Sequence, residues 1–244
     1  MRLSPFAVPL LTTLLTITSH SSVADDRVVF DGKTPVWLAA IGTLEVPGSR
    51  YTAGRREHFT EDCSATLVRR HGEGRANTVL TAWHCLEKYS DLSKAIRFTL
   101  RTSAGNVLSL EAYIVRDGGS IESDWAMLRL YESVAREDVR ALHINTNSVD
   151  MSRHIVMAGF SRDAGLGAGG TRLTYDPACR VTSAETHANA TDCYAYKGAS
   201  GGPVIQVDSA GVPAVYGVIS EGDGVGYSTF VPASTFRSAV RELL

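Results

Sequence analysis

The sequence predicts an all-β protein that ends in one short helix, and three observations carry that reading. Short runs of apolar and β-branched residues recur between turn residues at fairly regular intervals, as in sandwiches and barrels. Helical spacing shows only in the tail, where Phe236, Val240 and Leu243 or Leu244 share a face behind Ser234 as an N-cap. Beyond the N-terminus no apolar run is long enough to span a membrane.

Taken in order, the strand segments are 36–44, 65–68, 78–81, 96–100, 108–115, 126–130, 155–160, 172–173, 204–207, 215–219 and 227–231. Between the segments 155–160 and 172–173, residues 163–170 (Asp-Ala-Gly-Leu-Gly-Ala-Gly-Gly) form the most glycine-rich stretch and read as a mobile surface loop. The helix is expected over about 234–244. No internal repeat is evident.

Residues 1–24 carry Arg2, an apolar run over 6–17 and a small-residue exit at Ser22-Val23-Ala24, the pattern of a secretory signal peptide. Residues 25–244 are then one domain, whose expected location is secreted or periplasmic with no integral membrane segment after signal removal. Without Arg2 the balance is 23 basic against 26 acidic residues, or −3, so nothing points to nucleic acid or an anionic membrane as partner. Four cysteines, all beyond residue 24, favour two disulfides over a metal site in an oxidising compartment, and sequence alone allows three pairings. The cysteines lack CxxC-type neighbours, and His58, His71, His143, His154 and His187 lack ligand spacing. No metal and no cofactor are expected.

Three segments carry chemistry. Thr81-Ala82-Trp83-His84-Cys85 places a histidine after an apolar strand, Ser123-Asp124-Trp125-Ala126-Met127-Leu128 places an aspartate at the head of another, and Gly198-Ala199-Ser200-Gly201-Gly202-Pro203 sets a serine among glycines. A serine hydroxyl is a weak nucleophile at neutral pH, so it needs a base to take its proton, and the base needs a carboxylate to fix its tautomer. His84 and Asp124 supply those types. The glycines serve another purpose: Gly198 can present its N–H beside that of Ser200 as an oxyanion hole. Taken singly, each motif has a plainer reading, as a turn, a satisfied buried histidine or a strand-end carboxylate. Their order, His84, Asp124, Ser200, joins them into one hypothesis.

The blocks 81–85, 124–128 and 198–203 resemble the signatures of chymotrypsin/trypsin-like serine proteases, and the resemblance covers nearly the whole of residues 25–244. The Asp25-Asp26-Arg27 start, the Ala40-Ile41-Gly42 strand and Cys193, seven residues before Ser200, are more similar to the bacterial glutamyl-endopeptidase branch. The resemblance implies two perpendicular six-stranded antiparallel β-barrels, over about 28–140 and 150–232. His84 and Asp124 then come from the first, Ser200 from the second, and peptide or protein is the substrate. It also implies a monomer and the disulfides Cys63–Cys85 and Cys179–Cys193. The specificity pocket would be built from Tyr194, Ala195, Ile219, Ser220, Glu221, Gly222 and Gly226, with the Ser220 backbone offered to an extended substrate strand.

Where the sequence departs from the family is informative. Trypsins place an aspartate immediately before the serine, which pairs with the ammonium released on zymogen cleavage; this chain has Ala199. Arg27-Val28-Val29 still resembles an activation site. The neutral Tyr194 does not support a trypsin-type pairing with lysine or arginine. Ile219 and Ala195 stand where the glutamyl branch commonly has a histidine and a threonine. Two other functional readings are a catalytically silent protease-like binding module and a protease dedicated to one partner protein.

Overall fold

The computed structural model describes residues 25–244 apart from 71, 73 and 103, so the expected signal segment and His71 lie outside the described residues. The chain runs through β1 (Val28–Val29), a 3-10 turn at Val36–Ala40, β2 (Ile41–Thr52), β3 (Arg55–Val68), β4 (Arg75–Thr81), β5 (Ile96–Arg101), β6 (Val107–Asp117) and β7 (Ala126–Ala135). It continues as β8 (His143–Ile144), β9 (Ile155–Gly159), β10 (Thr174–Cys179), β11 (Val181–Ala184), β12 (Asn189–Thr191), β13 (Pro203–Val207), β14 (Pro213–Gly222), β15 (Ser228–Pro232) and α1 (Arg237–Leu243).

Strands β2 to β7 close into an antiparallel barrel in the order β2-β3-β4-β7-β6-β5. In β5 the period-2 pattern of Ile96, Phe98 and Leu100 fills the interior while Arg97 and Arg101 face water. The second sheet follows the path β1-β10-β9-β13-β14-β15-β12-β11, with β8 added beside β14. It does not close by hydrogen bonds between its end strands, as the six-stranded expectation would have it. Closure comes instead from the chain itself: β10 and β11 are one strand interrupted only at Arg180, after a register shift that holds Pro177, a residue that cannot donate to a ladder. Counting β10 and β11 as one and setting aside the short edge strands β1 and β8 leaves six strands around the curl. Its interior is Ile155, Met157, Val204, Ile219 and Phe230.

Several elements differ from the expected ones. The apolar run Val36–Ala40 is a 3-10 turn begun by the Leu38 N–H on the Pro35 carbonyl, because an unbroken apolar run carries no periodicity to separate turn from strand. Arg172 and Leu173 precede β10 rather than forming a strand. Strands β1, β8, β11 and β12 are too short or too polar to show a pattern. The loop from Asp163 is organised: the Asp163 carboxylate accepts the Gly167 N–H at 3.1 Å and its carbonyl accepts the Gly169 N–H at 2.9 Å. Helix α1 starts later than expected, and Ser234 is not its cap; Phe236 holds that position without a side-chain bond. Phe236 is buried and stacks on Trp125 with ring centroids 4.9 Å apart, so the helix returns to the first barrel. β1, although early in the chain, pairs with β10 of the second sheet.

Disulfides Cys63–Cys85 and Cys179–Cys193 form as the family resemblance implies. The first ties β3 to the turn that carries His84; the second spans the Arg180 break. Histidine or aspartate lies near each pair, but a disulfide sulfur has no thiolate to offer a metal. Replacing either pair by alanines should lower unfolding free energy by roughly 2–5 kcal/mol, measured by denaturant titration; unchanged stability would mean the bridge constrains little.

Candidate active site

The register of β4 against β7 brings the histidine and aspartate together. Thr81 pairs with Ala126, so His84, just past the end of β4, meets Asp124, just before the start of β7. Asp124 is fully buried and accepts three hydrogen bonds: from the His84 backbone N–H at 2.8 Å, from His84 Nδ1 at 2.8 Å, and from the Ser220 hydroxyl. A carboxylate can only accept, so Nδ1 carries the proton and Nε2 is left as the acceptor facing the cleft. Burial pushes the His84 imidazole down, but the Asp124 hydrogen bond and charge, with Glu61 and Glu221 further away, outweigh it and hold the pKa above the ordinary 6.5. The stacking of Phe236 on Trp125 fixes the strand end from which Asp124 projects.

Ser200 lies between β12 and β13 in a chain of tight turns. The Ala199 N–H bonds the Tyr196 carbonyl, the Gly202 N–H bonds the Ala199 carbonyl, and the Gly201 N–H bonds the Ile219 carbonyl, each at 2.8–2.9 Å. Glycine is required at two of these positions. Gly198 has φ +95° and a Cβ there would stand 2.5 Å from the Phe160 carbonyl; Gly201 has φ +82° and a Cβ would stand 2.2 Å from the Ser64 carbonyl. Among the described residues, the N–H groups of Gly198 and Ser200 have no acceptor. Two unclaimed donors beside the serine suit an oxyanion, for which donors must be in place beforehand.

Ser64 joins the serine loop to the first barrel. Its N–H donates to the Ser200 carbonyl at 2.8 Å, its hydroxyl donates to the Gly198 carbonyl at 2.7 Å and accepts the Phe160 N–H at 2.8 Å, and its carbonyl accepts the Thr81 hydroxyl at 2.9 Å. His84 Nε2 and the Ser200 carbonyl oxygen both lie 3.9 Å from Cys85 Sγ, so imidazole edge and serine backbone flank the same sulfur. The Ser200 hydroxyl itself donates to the Ser220 carbonyl at 3.3 Å, and no hydrogen bond joins it to His84.

Beside Ser200 opens a pocket of about 470 Å³. Of the expected pocket residues, Ala195, Ile219, Ser220, Glu221 and Gly222 line it; Tyr194 and Gly226 lie next to one another outside that lining. Tyr194 is buried, its backbone N–H on the buried Asp176 carboxylate at 3.3 Å. The lining also includes Tyr196, Lys197, Asp223 and Tyr227, which the sequence reading missed. Asp223 was recognisable as a turn former: its carboxylate accepts the N–H groups of Val225 at 2.8 Å and Tyr227 at 3.0 Å. Ser64 and the hydroxyl role of Ser220 left no local signal at all.

A buried aspartate bonded to a histidine, a serine on a glycine-braced loop and a barrel joined to a curled β-sheet define a serine protease of chymotrypsin-like build. Residues 49–240 match the model of the family described as Trypsin, and the chain belongs to that family. Among solved structures it is similar in fold to a thermostable serine protease from an extremophilic microorganism, at 19% identity and TM-score 0.58, covering 84% of this chain and 99% of that one. It is also similar to the protease Anisep from Arthrobacter nicotinovorans, at 18% identity and TM-score 0.61, covering 86% of this chain and 98% of that one. No curated protein matches it.

Two outcomes follow from this geometry. Ser64→Ala leaves the Gly198 carbonyl and the Phe160 N–H without their buried partner, and should cost about 1–3 kcal/mol, read by thermal denaturation. In an NMR titration His84 should deprotonate above pH 6.5, and Asp124→Asn should lower that midpoint, because burial is then opposed only by the more distant charges of Glu61 and Glu221; an unmoved midpoint would mean Asp124 does not govern the ring.

Proposed function

We propose that the protein is an exported serine endopeptidase that hydrolyses peptide bonds through an acyl-enzyme on Ser200. The observation that carries this reading is the buried Asp124 carboxylate bonded to both the Nδ1 and the backbone N–H of His84, across from the unclaimed N–H groups of Gly198 and Ser200. In the reaction the Ser200 hydroxyl leaves the Ser220 carbonyl for His84 Nε2, which takes its proton as Oγ attacks the scissile carbonyl. The oxyanion of the tetrahedral intermediate accepts from the N–H groups of Gly198 and Ser200. Collapse expels the amine with the proton from His84, and a water deprotonated by His84 then releases the acyl group. Asp124 keeps the proton on Nδ1 and stabilises the imidazolium.

The substrate is an extended peptide lying along residues 220–222, its side chain entering the pocket beside Ser200. Glu221 and Asp223 outnumber Lys197 in that lining, but exposed charge pairs are worth little, about 0–1 kcal/mol, so the pocket is broad rather than selective for basic side chains. Ile219 and Ala195 supply no cation or hydroxyl for a substrate carboxylate, and the likeness to the glutamyl-endopeptidase branch is carried as one of scaffold. Two disulfides suit an oxidising location, secreted or periplasmic. Among the described residues no helix is long and apolar enough to cross a membrane. The protein acts as a monomer, with residues 25–244 as its domain.

One observation favours the second reading, a silent binding module: Ser200 Oγ bonds the Ser220 carbonyl rather than His84. Catalytic hydrogen bonds are often loose in the absence of substrate, so the protease reading is preferred. Treatment with a fluorophosphonate and mass-spectrometric mapping decides between them: label is expected on Ser200 and should vanish in His84→Ala. Ser200→Ala and His84→Ala should each lower peptide turnover by about a millionfold, and Asp124→Asn by about ten-thousandfold. Folded protein that takes no label would leave the binding module standing.

A further inference from the structure

Arg27 is the most thoroughly buried guanidinium of the described residues, its side chain 2% exposed, yet it belongs to the segment ahead of β1. Its Nε and Nη2 donate to the Asp25 carboxylate at 2.9 and 2.7 Å. Its Nη1 donates to Asp163 at 2.9 Å and to the Thr174 hydroxyl at 3.3 Å, and the guanidinium carbon stands 4.2 Å from the centre of the Tyr196 ring. One edge of that ring is close to backbone: a Cβ on Gly224 would lie 2.5 Å from it. Tyr196 is therefore in contact with both a fixed cation and the turn at Gly224.

Tyr196 is also the root of the serine loop. Its carbonyl accepts the Ala199 N–H at 2.9 Å, and the next carbonyl, of Lys197, accepts the Arg162 N–H at 2.7 Å from the strand end that leads into the Asp163 loop. Arg27 thus touches both sides of the loop, through Tyr196 on one and Asp163 on the other. With Ala199 in place of an aspartate, no new N-terminal ammonium has a carboxylate to meet next to the serine. The buried cation at this end of the molecule is already present in the uncut chain.

We infer that Arg27 is a positioning residue that orders the Gly198 and Ser200 N–H groups through Tyr196 and Asp163, so that the site is assembled without cleavage after Arg27. The inference rests on the serine-protease reading. It also changes the meaning of Arg27-Val28-Val29: the arginine of this activation-like sequence is buried and held by Asp25, Asp163 and Thr174, so a processing protease would have to pull it out before taking it into a pocket. Cutting there would release the segment that supplies the clamp. Asp25, held below the ordinary carboxylate range by its Arg27 hydrogen bond, keeps the partner charge in place at neutral pH.

The test uses the full chain, Arg27→Lys and Arg27→Met, each labelled with a fluorophosphonate at a temperature where circular dichroism shows it folded. Losing an oxyanion donor costs about a hundredfold or more in rate; labelling of Ser200 in Arg27→Met should fall by about that factor, with Arg27→Lys between the two. Added methylguanidinium should restore part of the Arg27→Met rate, and N-methylurea should not; a purely structural loss would answer to neither. Folded Arg27→Met that labels within about threefold of the parent overturns the inference. N-terminal sequencing of the labelled parent needs no variant: an active species that still contains Arg27 is expected, and one that begins at Val28 overturns it. A parent that takes no label refutes the protease reading itself, and the inference falls with it.

Discussion

The hydrogen bonds around Ser64 are the constraint on which the rest of the site depends. His84 and Ser200 come from different sheets, and the proposed reaction, which would tolerate only about half an ångström of misplacement, needs those sheets locked in register. One buried residue does this with every polar atom it has: its N–H and hydroxyl hold the serine loop, its hydroxyl also holds the Phe160 N–H, and its carbonyl answers to Thr81 on the histidine's own strand. Next to it, Cys63 is bonded to Cys85, the neighbour of His84. Ser200 and His84 are therefore located relative to a single short stretch of β3. The absence of a side chain at Gly201 is what lets the loop approach that stretch so closely.

Electrostatics then act on a scaffold already in place. The Asp124 carboxylate is out of water but not short of donors, and three hydrogen bonds offset the cost of burying its charge. That satisfaction fixes the imidazole, and it recruits Ser220 from the second sheet, so the carboxylate is itself a link between the two halves. Ser220 faces both ways: its hydroxyl serves the aspartate while its carbonyl accepts the Ser200 hydroxyl.

The legible part of this protein is the part encoded by local contrast. His84, Asp124 and Ser200 stand out because each interrupts an apolar or glycine-rich run, and β5 and β7 are readable from side chains that alternate or stay apolar. What stays hidden depends on long-range pairing. Ser64 looks like any strand serine until Gly198 and Ser200 arrive 134 and 136 positions later in the chain. The loop after Asp163 reads as loose because glycine content says nothing about the arginine that anchors it. Tyr196 lines the pocket and Tyr194 does not, a distinction that residue type cannot carry.

The paths of the chain ends carry a mechanical consequence. β1 and β8, on the N-terminal side, are strands of the second sheet, while α1, which follows that sheet, seats Phe236 against Trp125 of the first barrel. A cut in the connection between β8 and β9 would therefore not yield two free-standing domains. It would yield two incomplete halves, each holding pieces that complete the other. Such halves are built for reassembly rather than independence, and the cleft between them exists only as long as each keeps hold of its neighbour's end.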